Sequence, residues 1–539
     1  MYLKTNLLIN FIFCTKIIVG QPDIRFNPFD WSLYGESGSI NSISFGDRYA
    51  FIGTASAGVL RFNINSNRFE EPITTTQGLS INFITAVHYA SNGMVWIATP
   101  KVLHFSFSGY GNWRTVKLES IGLFRNNLIN RIGDDGKDIW VESSGMLFRL
   151  DSSTGTPLET MTMQNKKVSW SSGVNPSFLD FSKILIDYSI ADGWMYSLKE
   201  FISPNGERVR ITTIAEDNFN NIIIGCQDGT IFIANKNIRI LEPYHFGLAS
   251  KDVFSFDGTS AFWTGGRTYG PTSGLTFIDV NRNIYDKFYF KNILNVDETA
   301  IFSVLDNKKI ALFGGEENII IYNKKKDDWS QIYIPSGIRK NFINDIIIYN
   351  DRIWIATPNG VQIMDIKTKR LLENDITDTF KNVYINDLLE NKTGVFIATQ
   401  SGLFIYDYNN DTIFDFKEFG YRDSSLILPS SQTSFSAISQ YRSNVYFSSR
   451  ESILKLNTSN RKWTSSVNSV IYQGQEVVDF DVFKNEFFIA TADMLIHFDK
   501  KNNLPEYFNY NFLSNINKLK VNSRKLWIGT SEGIVSYRY

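Results

Sequence analysis

The chain has 539 residues, of which 20% are charged and 43% hydrophobic, and its formal net charge is −1. That length exceeds what one core usually serves, so two domains are expected, and the balanced charge excludes an overall field that recruits nucleic acid or an anionic membrane. Two cysteines, Cys14 and Cys226, exclude a disulfide framework, while 43 Phe and 25 Tyr supply large flat groups for packing.

The N-terminus reads as a secretory signal over residues 1–20. Lys4 is its positive end, Leu7 to Phe13 its apolar core, and Gly20 the small residue before Gln21. Cleavage there leaves Cys226 as the one cysteine, read as a small buried hydrophobe. No second apolar stretch approaches the ~18 residues of a membrane span. Next comes Phe29-Asp30-Trp31-Ser32-Leu33-Tyr34, a strand-like segment similar to the outer strands at Trp113 and Trp329. The last repeat ends at Tyr539 without an outer strand of its own, so residues 22–34 are expected to supply an edge strand, either to a first propeller or to the terminal blade.

From residue 50 onward one phrase returns. Its fullest copies are Val95-Trp96-Ile97-Ala98-Thr99, Ile353-Trp354-Ile355-Ala356-Thr357, Val395-Phe396-Ile397-Ala398-Thr399 and Leu526-Trp527-Ile528-Gly529-Thr530. Weaker copies begin at Ala50, Ile139, Ile222, Phe262, Ala311, Val445 and Phe487, and a degenerate one is expected over residues 183–198. The period is about 42 residues, the length of a four-stranded propeller blade. Within 383–419, the inner strand is expected at 383–389, the next two at 395–399 and 403–407, and the outer one at 412–419. Asn, Asp and Gly fill the turns between them. The fold class is therefore all-β, as tandem propellers of twelve to fourteen blades. The first is expected over 21–325 and the second over 326–539, with the boundary inside 280–340. Trp96, Trp140, Trp354 and Trp527 share one repeat position and are expected to be buried between blades.

The repeat resembles that of the two-component-regulator propeller family, carried here by Asn82…Asn92-Gly93-Met94-Val95-Trp96-Ile97-Ala98-Thr99 and by Ile516-Asn517…Leu526-Trp527-Ile528-Gly529-Thr530. In that family such propellers form periplasmic sensors that bind oligosaccharides. The overall layout is most similar to PorZ-type tandem propellers of type IX secretion, which implies a surface-exposed protein that binds lipopolysaccharide. No membrane helix, kinase, receiver or C-terminal sandwich is expected beyond Tyr539, so neither a signalling output nor the usual sorting domain is expected.

Motifs for catalysis are sparse. HExxH, GxSxG, Walker and CxxC patterns do not occur. His88, His104, His245 and His497 are read as structural, because the blade position shared by His104 and His497 also holds Arg61, Ile363 and Ile405. Asp134-Asp135-Gly136-Lys137-Asp138 resembles part of a calcium loop but lies where the repeat needs a turn. No metal and no cofactor is expected. Two second-to-third-strand turns depart from the repeat: the long one from Gly265 to Ser273, with Arg267 and Tyr269, and Arg450-Glu451. Arg267, Tyr269 and Arg450 are accordingly the candidate ligand-binding residues. The function expected is a secreted, non-enzymatic binding or scaffold protein of the bacterial envelope, in the periplasm or on the outer-membrane surface. Its partners are expected to be a glycan, lipopolysaccharide or an envelope protein, and no nucleic acid. The alternatives are a propeller-fold enzyme, either a streptogramin-type lyase or a glycan-cleaving one, and a detached two-component sensor.

Overall fold

The computed structural model describes residues 26–107, 111–124, 127–172, 185–267, 273–422 and 426–539. Strand is the dominant regular structure, and among the described residues the strands form eleven sheets, each built on an antiparallel meander, which are propeller blades. In chain order, blades 1 to 4 span 40–73, 86–117, 131–161 and 208–244. Blades 5 to 8 span 252–289, 303–333, 345–372 and 385–415, and blades 9 to 11 span 435–468, 477–508 and 518–538. In blade 8 the strands are Ile385–Glu390, Gly394–Thr399, Gly402–Asp407 and Thr412–Asp415. All six residues of Gly394–Thr399 are buried. A strand covered on both faces has no polar face to show, which is why the repeat phrases read as apolar runs. The outer strand stops at Asp415 because Phe416 and Phe419 turn inward into the blade 8–9 core.

Inter-blade contacts run 5–6–7–8–9–10–11 and return from blade 11 to blade 5. That is a closed ring of seven. Blade 11 has only three strands of its own, and the Trp31–Tyr34 strand supplies the fourth, with Trp31 opposite Tyr537 and Tyr34 opposite Ile534. The structure thus selects the terminal blade over a local closure. Trp31 is 2% exposed and stacks on Tyr537 at 4.2 Å between ring centroids. Blades 1 to 4 lie between this strand and blade 5 in sequence, so they form an insertion into the seven-blade ring.

Those four blades neighbour one another in the order 4–1–2–3. The Ser169–Trp170 strand joins the inner strand of blade 3, and Ser172 bridges Ile43 on the inner strand of blade 1. The degenerate copy at 183–198 does not make a sheet of its own among the described residues. Ser189–Ile190 and Met195–Ser197 instead extend the two sides of the sheet that contains blade 4. The segment lacks the long apolar run that a doubly covered strand needs, and Ile186, Met195 and Leu198 are exposed.

The insertion docks on blades 5 and 11 through one continuous core. Ile43 and Phe62 of blade 1, Ile231 of blade 4, Phe262 and Tyr285 of blade 5, and Trp527 of blade 11 belong to it. Phe246 is its hub, 5.2 Å from Phe69 and 4.7 Å from Tyr285 between ring centroids. Asn283, in a left-handed turn with φ +62°, accepts from Phe69 N at 3.0 Å and donates to Phe69 O at 2.6 Å. An Arg538–Glu71 ion pair lies at the same junction.

Candidate functional site

At one end of the seven-blade ring, each inner strand contributes one residue at its start: Phe254, Phe302, Asn344, Asn386, Ser436, Val478 and Asn517. Together they floor a cavity of about 980 Å³. Its walls include Tyr384 and three rim residues from blade-joining or second-to-third-strand turns, Arg450, Glu476 and Asp493. Phe254 and Phe302 are half-buried and stack at 5.4 Å with an interplanar angle of 15°. Phe302 in turn meets Phe342 edge-on at 5.4 Å. The rim pairs Arg450 with Glu476 at 2.8 Å, both exposed. Gln475 adds a buried side-chain oxygen with no hydrogen-bond partner among the described residues.

The asparagines have a structural task there. Asn344 donates to Ile385 O at 2.7 Å, Asn386 to Phe435 O at 2.7 Å, and Asn517 to Val253 O at 3.0 Å, each reaching the next blade. Inner strands of adjacent blades share no ladder, so their edge groups need partners from side chains. One step deeper, carboxylates and hydroxyls serve the amides in the same way. Asp345 accepts from Leu388 N, Asp387 from Ile438 N at 2.6 Å, Asp479 from Leu519 N at 2.7 Å, and Ser255 from Val304 N. The Asn-Asp pairs 344–345 and 386–387 are therefore stitches between blades.

Of these, Asp479 lines a polar channel between the inner strands together with Asp481 and Lys518, whose Nζ lies 3.6 Å from Asp479 Oδ1. Burial opposes the lysine's charge, but Asp479, Asp387, Asp345 and Asp481 outweigh it and hold its pKa well above the ordinary value. Burial pushes the Asp387 carboxyl up, and the Asp345 charge adds to this. Asp479 is raised by burial too, against the opposing pull of Lys518 and of the Leu519 N–H. No cluster of three or more His, Cys, Asp or Glu that could hold a metal occurs among the described residues.

The sequence-derived candidates fall as follows. Arg450 is on the mouth's rim. Arg267 ends the Ala261–Arg267 strand and pairs with Glu316 at 3.2 Å, and Glu316 also binds Lys340. Tyr269 lies outside the described residues. Gly265 and Gly266 belong to the strand rather than the turn, and a Cβ on Gly266 would sit 1.6 Å from Asp252 O. Trp96, Trp140, Trp354 and Trp527 are at most 2% exposed, and Trp527 donates to Thr259 O of blade 5 at 2.7 Å. His88 bonds Asp134 at 2.9 Å, holding blade 2 to blade 3, and His497 stacks on Phe488 at 4.5 Å while bonding Glu486. Asp135 accepts from Lys137 N and Asp138 N, an ordinary turn. Phe254 and Phe302 were missed because their shared repeat position varies in residue type from blade to blade.

No protein-family model matches the chain, and no curated protein matches it. Among solved structures it is similar to PorZ, a surface component of the type-IX secretion system of Porphyromonas gingivalis, at 13% identity over 93% of this chain and 74% of that one, with TM-score 0.41. It is also similar to the extracellular domain of a hybrid two-component system from B. thetaiotaomicron, at 15% identity over 96% of this chain and 76% of that one, with TM-score 0.38. Virginiamycin B lyase from Staphylococcus aureus matches 53% of this chain and 94% of its own at 10% identity, with TM-score 0.42. The blade assignment rests on the sheets themselves.

Proposed function

We propose that the chain is a secreted, non-enzymatic binding or scaffold propeller of the bacterial envelope, and that the mouth of the seven-blade ring takes an oligosaccharide, the sugar part of an envelope glycan or lipopolysaccharide. The carrying observation is the half-buried, stacked Phe254–Phe302 pair flooring a cavity of about 980 Å³ with a charged rim. Aromatic faces accept the C–H faces of sugar rings, and rim groups such as Arg450, Glu476 and Asp493 exchange hydrogen bonds with hydroxyls. Secretion draws on the reading of residues 1–20, which lie outside the described residues, and the type IX context draws on the sequence resemblance. In this reading the chain divides ahead of Asp252 rather than at 280–340, because blade 5 neighbours blade 11. The test is binding of the purified chain to an immobilised panel of bacterial oligosaccharides and lipopolysaccharides. Phe302→Ala is expected to weaken the strongest interaction about tenfold, equivalent to about 1.4 kcal/mol. Unchanged binding by both Phe302→Ala and Phe254→Ala would overturn the assignment.

A further inference from the structure

A second depression opens between blades 9 and 10, with a volume of about 540 Å³. It includes first-to-second-strand turns, at Arg442 and Lys484, and a third-to-fourth-strand turn, at Lys500. The mouth is built instead from strand starts and second-to-third-strand turns, so the depression lies on the opposite face of the ring. Arg442, Lys455, Lys484 and Lys500 all line it, and no Asp or Glu does. None of the four makes an ion pair among the described residues, in a chain whose net charge is −1. Lys500 reaches Ser466 Oγ at 3.3 Å across the blade boundary. Burial and the neighbouring Lys455 lower its pKa, as expected of cations gathered without a counter-charge.

Two of these cations sit where the repeat favours other residues. Arg442 and Lys484 have φ of +56° and +59° at the turn where blades 2 and 3 place Gly93 and Gly136, and blade 7 places Asn350. Left-handed backbone favours Gly and Asn, so blades 9 and 10 carry charge at this turn against local preference. Tyr441, Tyr446 and Phe487 complete the lining, with Tyr446 and Phe487 edge-to-face at 5.5 Å. The volume is several times that of a single oxyanion and suits a ring compound.

We infer that this depression binds a sugar bearing two or more phosphate or sulfate groups. The lysines and Arg442 meet the oxyanions, and the aromatic side chains meet the ring. The site is independent of the mouth and of what the mouth binds.

The experiment is titration calorimetry of the full chain at low ionic strength with glucose 1,6-bisphosphate, with a trisulfated heparin disaccharide, and with uncharged cellobiose. One or both charged probes are expected to bind, and which one does distinguishes phosphate from sulfate as the source. The affinity should fall at least tenfold in the Lys484→Gln/Lys500→Gln variant and remain unchanged in the charge-matched Lys325→Gln/Lys326→Gln variant, whose lysines are exposed in a turn of blade 6. The double variant should melt no lower than the parent, since it loses like-charge repulsion. Failure of both charged probes to bind at about 10 mM, a ceiling near 3 kcal/mol of affinity, would overturn the proposal. So would parental affinity in the Lys484→Gln/Lys500→Gln variant, or cellobiose binding that this variant weakens equally.

Discussion

Replacing Lys518 by Met removes the cation that answers the channel's carboxylates. Its Nζ is 3.6 Å from Asp479 Oδ1, with the lysine side chain 33% and the aspartate side chain 6% exposed. One such pair is worth about 4–5 kcal/mol at an effective dielectric of about 20. Recovered desolvation of the lysine and its partial exposure cancel about half, so the variant should lose about 2–3 kcal/mol near pH 7. The loss should depend on pH in a set direction. Asp387 and Asp479 already have folded pKa values above the unfolded ones, so folding takes up protons and their contribution to stability falls as pH rises through the folded values. Without Lys518 those values rise further, so the deficit should be greatest at about pH 7–8 and shrink toward about pH 5. Urea denaturation across that range measures it, with Lys518→Met/Asp387→Asn expected to recover much of the loss, because Asn can still accept from Ile438 N. Equal stability of Lys518→Met and parent at pH 7.5, or a deficit that does not change with pH, would refute the reasoning.

Trp354 is 2% exposed and lies 5.5 Å from Tyr406 of the next blade, so Trp354→Ala should cost about 3–5 kcal/mol, read as a lower melting temperature. Asn283→Gly keeps the left-handed turn but removes both bonds to Phe69, and should cost about 1–3 kcal/mol, with calorimetry showing the insertion beginning to melt ahead of the ring.

What was legible in the chain follows from packing. The phrase around Trp354 and its copies mark second strands, because those strands are covered on both faces and so keep the same apolar character from blade to blade. The closing strand was legible as well, since Trp31 sits in a segment like other outer strands. The grouping of blades was not. Contacts such as Trp527 with Phe262, 5.0 Å between centroids, join residues 265 positions apart, and no local pattern records them. The mouth was legible only in part. Arg450 stood out by breaking the small-residue turn, whereas Phe254 and Phe302 vary with position and carry no repeat signal. Asn344-Asp345 and Asn386-Asp387 repeat in adjacent blades, but their role lies in the neighbouring blade's backbone, which the sequence does not display.

The ring, its channel and its mouth all depend on the Trp31–Tyr34 strand completing blade 11. Hydrogen–deuterium exchange of peptides covering 31–34 and 534–537 tests that pairing directly. Both peptides should be protected to the level of the central strands, and Trp31→Ala should raise exchange in the 534–537 peptide together with the 31–34 peptide. Fast exchange across 31–34 in the parent, with 534–537 unaffected by the substitution, would contradict the closure.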